Sequence, residues 1–422
     1  NLRGAILGTG PGRGGGRMKI IFYANTEWYL YNFRLGLARH LRNEGHEIVM
    51  VSPPGKYGPR LEAEGFRWIP VDMRRRSLNP LREARMVLAL ADVYRAETPS
   101  LVHHFTLKCI VYGGIAPRLA RVFASRRLRT KLLLRPLVRR LLRMVSNQPG
   151  AAVIVQNSDD LAFISGLRLS ANTHLALIRG SGVDTSRFGH AHTRATNPDG
   201  PVVVLFVGRL LFDKGIVDFV EMASRCREAG EVPMRFLVAG EPDLGNPASV
   251  PLEQLGQWKD AGIVEFLGHV EDMVGLLASV DIVVLPSRAE GAPRSLIEAA
   301  ACAIPLVATD VPGCREVVVD GRNGYLVPLH DIGALADAVL RLAADAGLRH
   351  EMGDAGRQLV LEHLDESIVF ERTVEVYRRL LPGEWAVSLS PPASVASSGT
   401  SALPIGGTPS SPRPIGVRAR RA

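Results

Sequence analysis

Acids, cations and small residues meet at fixed spacing in the second half of this chain. Glu290 and Glu298 flank a small-residue turn, Gly291-Ala292-Pro293, with seven residues between the two carboxylates. An apolar run over 282–285 predicts a buried strand, a loop starts at Pro286, and residues 295–303 predict a helix. Pro293 suits a first helical turn, where its missing N–H costs nothing. A strand, a small-residue turn and a helix start leave backbone N–H groups around Gly291, Ala292, Arg294, Ser295 and Leu296 available to an anion. One glutamate can face a ligand from the loop while the other reaches it from the helix.

Two cations share this setting. A strand predicted over 202–207 is followed by Gly208 and Arg209 and, five residues on, by Lys214-Gly215. Side chains leaving a strand's carboxyl end and a helix start can neutralise a diphosphate between them. In the first half, His103-His104-Phe105-Thr106 and Lys108 close a strand predicted over 101–105. Two histidines there, with Thr and Lys following, favour a site. Residues 25–34, N-T-E-W-Y-L-Y-N-F-R, put Asn25, Trp28, three more aromatics and Arg34 after the first strand. Ligand binding and packing of the first helix fit these aromatics equally well. There is no D-x-D and no histidine–carboxylate spacing suited to a metal, so neither metal nor cofactor is expected.

The elements that must hold these residues alternate. Strands are predicted over 19–24, 47–52, 66–71, 101–105 and 151–155, then over 202–207, 236–239, 264–266, 282–285 and 306–309. Helices are predicted over 32–43, 335–342 and 366–381. Strands alternating with helices imply parallel, doubly wound sheets, whose ligands sit beyond the carboxyl ends of the strands. At 422 residues the chain exceeds one hydrophobic core. The expected organisation is a disordered leader over 1–17, a first Rossmann-like domain over 18–184 and a second over 185–365. A helix over 366–381 returns to the first domain, and a Pro/Ser/Gly-rich tail over 382–422 is disordered. The polar linker after Asp184 marks the junction. Gly10-Pro11-Gly12-Arg13-Gly14-Gly15 matches G-x-G-x-x-G, but no strand precedes it, so a dinucleotide site is rejected. Met18 is a candidate true start.

Embedded in the string A-C-A-I-P-L-V-A-T-D-V-P-G-C-R-E-V-V and G-R-N-G-Y-L-V-P, the E-x7-E pattern resembles the retaining nucleotide-sugar glycosyltransferases of the GT-B fold, family 4. G-R-L-x-x-D-K-G at 208–215 and G-V-D at 182–184 match it too. The W-Y-x-x-N-x-R and H-H-F-T-x-K motifs resemble the subgroup that adds N-acetylhexosamine to polyprenyl-diphosphate-linked sugars. The resemblance implies two Rossmann-like domains around a cleft, with Arg209 and Lys214 on the diphosphate, Glu298 on the ribose and Glu290 beside the donor sugar. It implies a histidine on the donor sugar, His103 or His104, with the spacing leaning to His104. It implies transfer with retention, the leaving phosphate helping to deprotonate the acceptor. One departure stands out. After a helix ending near Arg121, a strand and a T-G-L-G-type loop are expected, yet the chain runs almost directly into a basic helix.

Charge splits along the chain. Up to Thr185 there are 29 Lys/Arg against 12 Asp/Glu, and beyond it 22 against 30. A basic half suits an anionic partner, and without a nucleic-acid motif an anionic membrane surface or a phosphorylated substrate is expected rather than nucleic acid. Residues 126–144 hold eight Lys/Arg and no acid, interleaved with leucines, as in helices that dock on anionic lipid. No apolar run is long enough to span a bilayer. Four scattered cysteines point to a reducing cytosol. The expected activity is hexosyl or N-acetylhexosaminyl transfer from a UDP-sugar to a lipid-linked saccharide, at the inner face of the cell membrane. The alternatives are a donor-binding protein without turnover and a nucleotide-sugar 2-epimerase.

Overall fold

The computed structural model describes residues 5–8 (as backbone), 17–73, 79–106, 108–113, 140, 143–144, 146–147, 150–167, 169, 173–189, 200–382 and 385. The segment after Arg121, most of the basic stretch 126–144, the linker over 190–199 and nearly all of the tail lie outside the described residues.

Two sheets organise the chain. The first has the order β4-β3-β2-β5-β1-β6-β7. Its strands are β1 (Ala5–Gly8), β2 (Lys19–Tyr23), β3 (Glu47–Ser52), β4 (Arg67–Pro70), β5 (Leu101–His104), β6 (Ala151–Val155) and β7 (His174–Leu177). The second runs β10-β9-β8-β11-β12-β13. It is built from β8 (Val202–Val207), β9 (Met234–Ala239), β10 (Glu265–Gly268), β11 (Ile282–Leu285), β12 (Leu306–Thr309) and β13 (Gly324–Val327). Every pairing in the second sheet is parallel. Helices cover both faces, so strands such as β11 and β12 are buried along their whole length and read as unbroken apolar runs.

With the antiparallel β1 set aside, the strand order of each sheet reverses once, between β2 and β5 and between β8 and β11. Such a reversal opens a crevice beyond the carboxyl ends of the two strands. Gly208 and Pro286 leave the strands on either side of that point in the second sheet, and Ala24 and Phe105 do so in the first.

The leader departs from expectation. Ala5–Gly8 is a strand, antiparallel to both neighbours, with Ile6 opposite His103 on one side and Ala152 on the other. All other pairs in that sheet are parallel. Its A-I-L run is short, but between β5 and β6 it finds backbone partners on both edges, which outweighs its glycine-rich surroundings. In the tail, Trp385 is buried, its ring 4.7 Å from that of His46.

Some boundaries move. The first helix runs Glu27–Asn43 rather than 32–43, because Thr26 caps it by accepting from Tyr29 N at 3.1 Å. Most of the expected loop 25–34 is therefore helix. The helix expected over 295–303 spans Arg294–Ala301, and Ala346–His363 is a further helix. The last helix, Glu366–Leu380, buries Val369, Phe370, Val374 and Tyr377 in the core that also holds Ile20 and Phe22 of β2. At its start the chain recrosses the junction, where Val183 N donates to Leu364 O and Glu366 N to Val183 O. Among the described residues no helix is long and apolar enough to cross a membrane.

Candidate active site

β8 delivers Gly208 and Arg209 past its carboxyl end, and a turn of 3-10 helix, Phe212–Lys214, brings Lys214 back over the sheet. Gly215 closes that turn at φ +74°, and a Cβ there would lie 1.8 Å from the carbonyl oxygen of Pro286. Only glycine tolerates both the backbone angle and the approach. The turn is pinned from the facing loop as well. Ser287 Oγ donates to Asp213 O at 3.0 Å, Arg288 N donates to the same carbonyl, and Thr309 Oγ1 donates to Ser287 O. Lys214 is thus fixed relative to the loop that carries Glu290.

The two meet. Lys214 Nζ lies 2.5 Å from Glu290 Oε1, with the Glu290 carboxylate nearly buried. Gly313 presses on Glu290 from the next loop, where a Cβ would come 2.5 Å from its carbonyl. Arg209, more than half exposed, pairs with Asp243 at 2.7 Å. Arg294 Nε donates to Glu298 Oε1 at 2.7 Å. Lys214, Arg209 and Arg294 are therefore each held by a carboxylate. Burial raises the Glu298 pKa, an effect opposed by the neighbouring charges of Arg294 and Arg187. The helix that carries Glu298 starts at Pro293, which provides no side-chain cap, and the first-turn N–H groups of any helix lack intrahelical partners. Its N-terminus thus keeps the character of an anion site.

Of the predicted turn, Gly291 is buried and its carbonyl accepts from Asn157 Nδ2 of the first lobe at 3.2 Å. Ala292, Arg294 and Ser295 are half-buried. Leu296 packs wholly inside the second lobe's core, and its backbone N–H donates to Pro293 O at 3.1 Å.

The first-lobe candidates separate. His103 and His104 point to opposite faces of β5, as adjacent strand residues must. His103 shares a 2.7 Å hydrogen bond between Nδ1 and Tyr377 Oη on the last helix, and its ring packs on Phe22 and Phe105. His104 has no exposed surface and lies 2.9 Å from Tyr94 Oη, with Gly113 closing over the ring. Both histidines are buried here, each with a side-chain partner at the end of β5. Burial, then the charge of Arg34, then His104 hold the His103 pKa well below the usual imidazole range. Arg34 is buried too: Nη2 donates to Tyr29 Oη at 2.8 Å and the guanidinium lies 4.6 Å from the Phe105 ring centroid. Asn25 is half-buried, and Trp28 stays exposed with its ring edge-to-face on Phe33. Lys108 pairs with Glu83 at 3.1 Å. Glu83, with Asp72, Met73, Arg82, Arg85 and Met86, lines a cavity of about 340 Å³ at the start of the helix Pro80–Glu97.

Sequence reasoning missed the residues that join the lobes. Glu316 accepts from Ser158 N and Oγ, each at 2.7 Å, and pairs with Arg179. Arg294 Nη1 donates to the carbonyl of Asn32 in the first helix. A carboxylate after a short turn such as Pro312–Arg315 carries no periodic signal that marks it. Among the described residues, no group of three or more His, Cys, Asp or Glu side chains is arranged to hold a metal ion.

Known proteins place this geometry. Residues 201–345 match the glycosyl transferases group 1 family, and residues 19–127 match the glycosyl transferase 4-like family. The chain is 26% identical over 384 residues to the N,N'-diacetylbacillosaminyl-diphospho-undecaprenol alpha-1,3-N-acetylgalactosaminyltransferase of Campylobacter jejuni, covering 86% of this chain and 99% of that one. To the capsular polysaccharide biosynthesis glycosyltransferase CapM of Staphylococcus aureus it is 24% identical over 362 residues, 82% of this chain and 93% of CapM. Among solved structures, a glycosyltransferase from Rickettsia africae superposes with a TM-score of 0.67 at 16% identity, covering 87% of this chain and 99% of the other. HepE of Anabaena, solved in complex with UDP, gives 0.66 at 19% identity, with 86% and 100% covered. Those two likenesses speak to the fold. Taken with the family matches over both lobes, they place this chain among the glycosyltransferases of the GT-B fold, with a 4-like first lobe and a group 1 second lobe.

Proposed function

We propose that the enzyme moves a hexosyl or N-acetylhexosaminyl group from a UDP-sugar to a lipid-linked saccharide, with retention at the anomeric carbon. The observation that carries this is the Lys214–Glu290 pair, 2.5 Å apart at the second sheet's crevice and backed by an uncapped helix start. A departing nucleoside diphosphate develops charge on its oxygens, and fixed cations and N–H groups stabilise that charge without reorganising. Lys214 and Arg209 meet the diphosphate, exchanging their present carboxylates for phosphate oxygens. Glu298 accepts from the ribose hydroxyls, and Glu290 stays beside the reacting carbon without acting as nucleophile. The bond from the anomeric carbon to the phosphate oxygen breaks, and the bond to the acceptor oxygen forms on the same face. The acceptor's proton passes to the leaving phosphate.

The relatives support the choice of substrates: the Campylobacter jejuni protein is named for a diphospho-undecaprenol acceptor, and Anabaena HepE was solved with UDP. The basic first half of the chain suits work at an anionic membrane surface on the cytoplasmic side. Product formation from UDP-sugars and a polyprenyl-diphosphate-linked saccharide tests the reading. Transfer with retained configuration is the expected result, and hydrolysis or epimerisation of the donor without transfer would contradict it. Pelleting with anionic but not neutral vesicles tests the membrane surface, and equal pelleting with both would contradict that part.

A further inference from the structure

Arg294 touches both lobes with one planar group. Its Nε holds Glu298 Oε1 at 2.7 Å, one turn further along its own helix. Its Nη1 holds the carbonyl of Asn32 in the first helix, and its guanidinium sits 5.4 Å from the Phe33 ring centroid. Glu366, at the start of the last helix, also feels its charge. The donors of a guanidinium are fixed in a fork, so Nε cannot leave its partner without carrying Nη1 along.

The carboxylate at one end of this fork is the one assigned to the ribose. A vicinal diol that donates to both oxygens of Glu298 competes with Arg294 Nε for the approach to Oε1. Arg187 remains nearby as a second positive charge to balance Glu298 when Arg294 moves. The carbonyl at the other end belongs to the helix Glu27–Asn43, which opens at the first sheet's crevice with Thr26 as its cap.

We propose that Arg294 is a positioning residue that couples ribose occupancy of Glu298 to the tethering of the first helix, so that donor binding reaches the acceptor side through one side chain. The proposal rests on the reading of Glu298 as the ribose carboxylate. When the ribose hydroxyls take Glu298, the fork swings, the Asn32 carbonyl loses its extra donor, and the first helix is released from the donor-site helix.

Hydrogen exchange over residues 27–43 of the full chain tests this, with UDP, GDP and ADP each added at saturation and binding followed by calorimetry. In the wild type the nucleotide that binds should speed exchange in the first half of that helix by about threefold or more, the signature of a lost local tether. In Arg294→Gln the helix should exchange fast already and show no response. Arg294→Lys keeps a charge opposite Glu298 but not the fork, guards against a glutamine variant that fails to fold, and should lack the response too. A bound nucleotide that leaves wild-type exchange unchanged, or changes it equally in the variants, would overturn the coupling and spare the donor site. Failure of all three nucleotides to bind the folded wild type would overturn the donor reading and the coupling together.

Discussion

At the scale of single residues, the site is a set of cations already satisfied by carboxylates. Lys214 on Glu290 and Arg209 on Asp243 keep charges in place that a diphosphate can take over. Removing either should cost about two orders of magnitude or more in kcat/KM, the size seen when one oxyanion donor is lost. Steady-state kinetics of Arg209→Ala and Lys214→Ala check this, and near wild-type turnover in both would remove them from the mechanism. His103 makes a different prediction, because its ring is buried. Its folded pKa lies below the ordinary value of 6.5, so the unfolded chain binds the proton more readily. The stability it contributes is present above about pH 6.5 and is lost as pH falls from there towards the folded pKa. Melting curves from pH 7.5 to 5 should therefore fall more steeply for wild type than for His103→Asn. Parallel curves would mean that the ring is not kept neutral by the fold.

At the scale of elements, strands were legible where burial on both faces writes a continuous apolar run, as at 202–207, 282–285 and 306–309. The acidic pair was legible because its spacing straddles a strand, a small-residue turn and a helix start. What a strand's end touches was not. His103 lies 274 residues from the tyrosine that holds it, and no local pattern records a helix returning from so far along the chain. The first helix began early because a threonine cap outweighed an aromatic stretch that reads equally well as loop. β1 was missed because four residues among glycines carry almost no period. It lies between β5 and β6, far along the chain from its own position. A proline at Ile6 removes one N–H from the inserted strand, so Ile6→Pro should lower stability by about 1–3 kcal/mol. Chemical denaturation measures this, and an unchanged midpoint would mean that the sheet does not depend on β1. Gly215→Ala should be at least as costly, about 1–3 kcal/mol from the backbone angle before the clash with Pro286 is added. It should also depress turnover through Lys214. A variant of wild-type stability and activity would show that the turn is not held as described.

At the scale of the whole molecule, the two lobes meet through a few polar contacts that converge on the donor loop. Asn157 holds Gly291, Arg294 reaches Asn32, and Glu316 gathers Ser158 and Arg179. Transferring a sugar requires a donor held by one lobe to meet an acceptor held by the other, and these contacts set that meeting. The central claim is that the second lobe's crevice binds a nucleotide sugar through Glu298 and the Lys214–Glu290 corner. Calorimetric titration of the full chain with UDP-, GDP- and ADP-sugars tests it most directly. The account predicts saturable binding of a UDP-sugar, weakened at least about tenfold by Glu298→Ala as a charged hydrogen-bond acceptor is lost. Folded protein that binds no nucleotide sugar, or binds one equally well without Glu298, would contradict it.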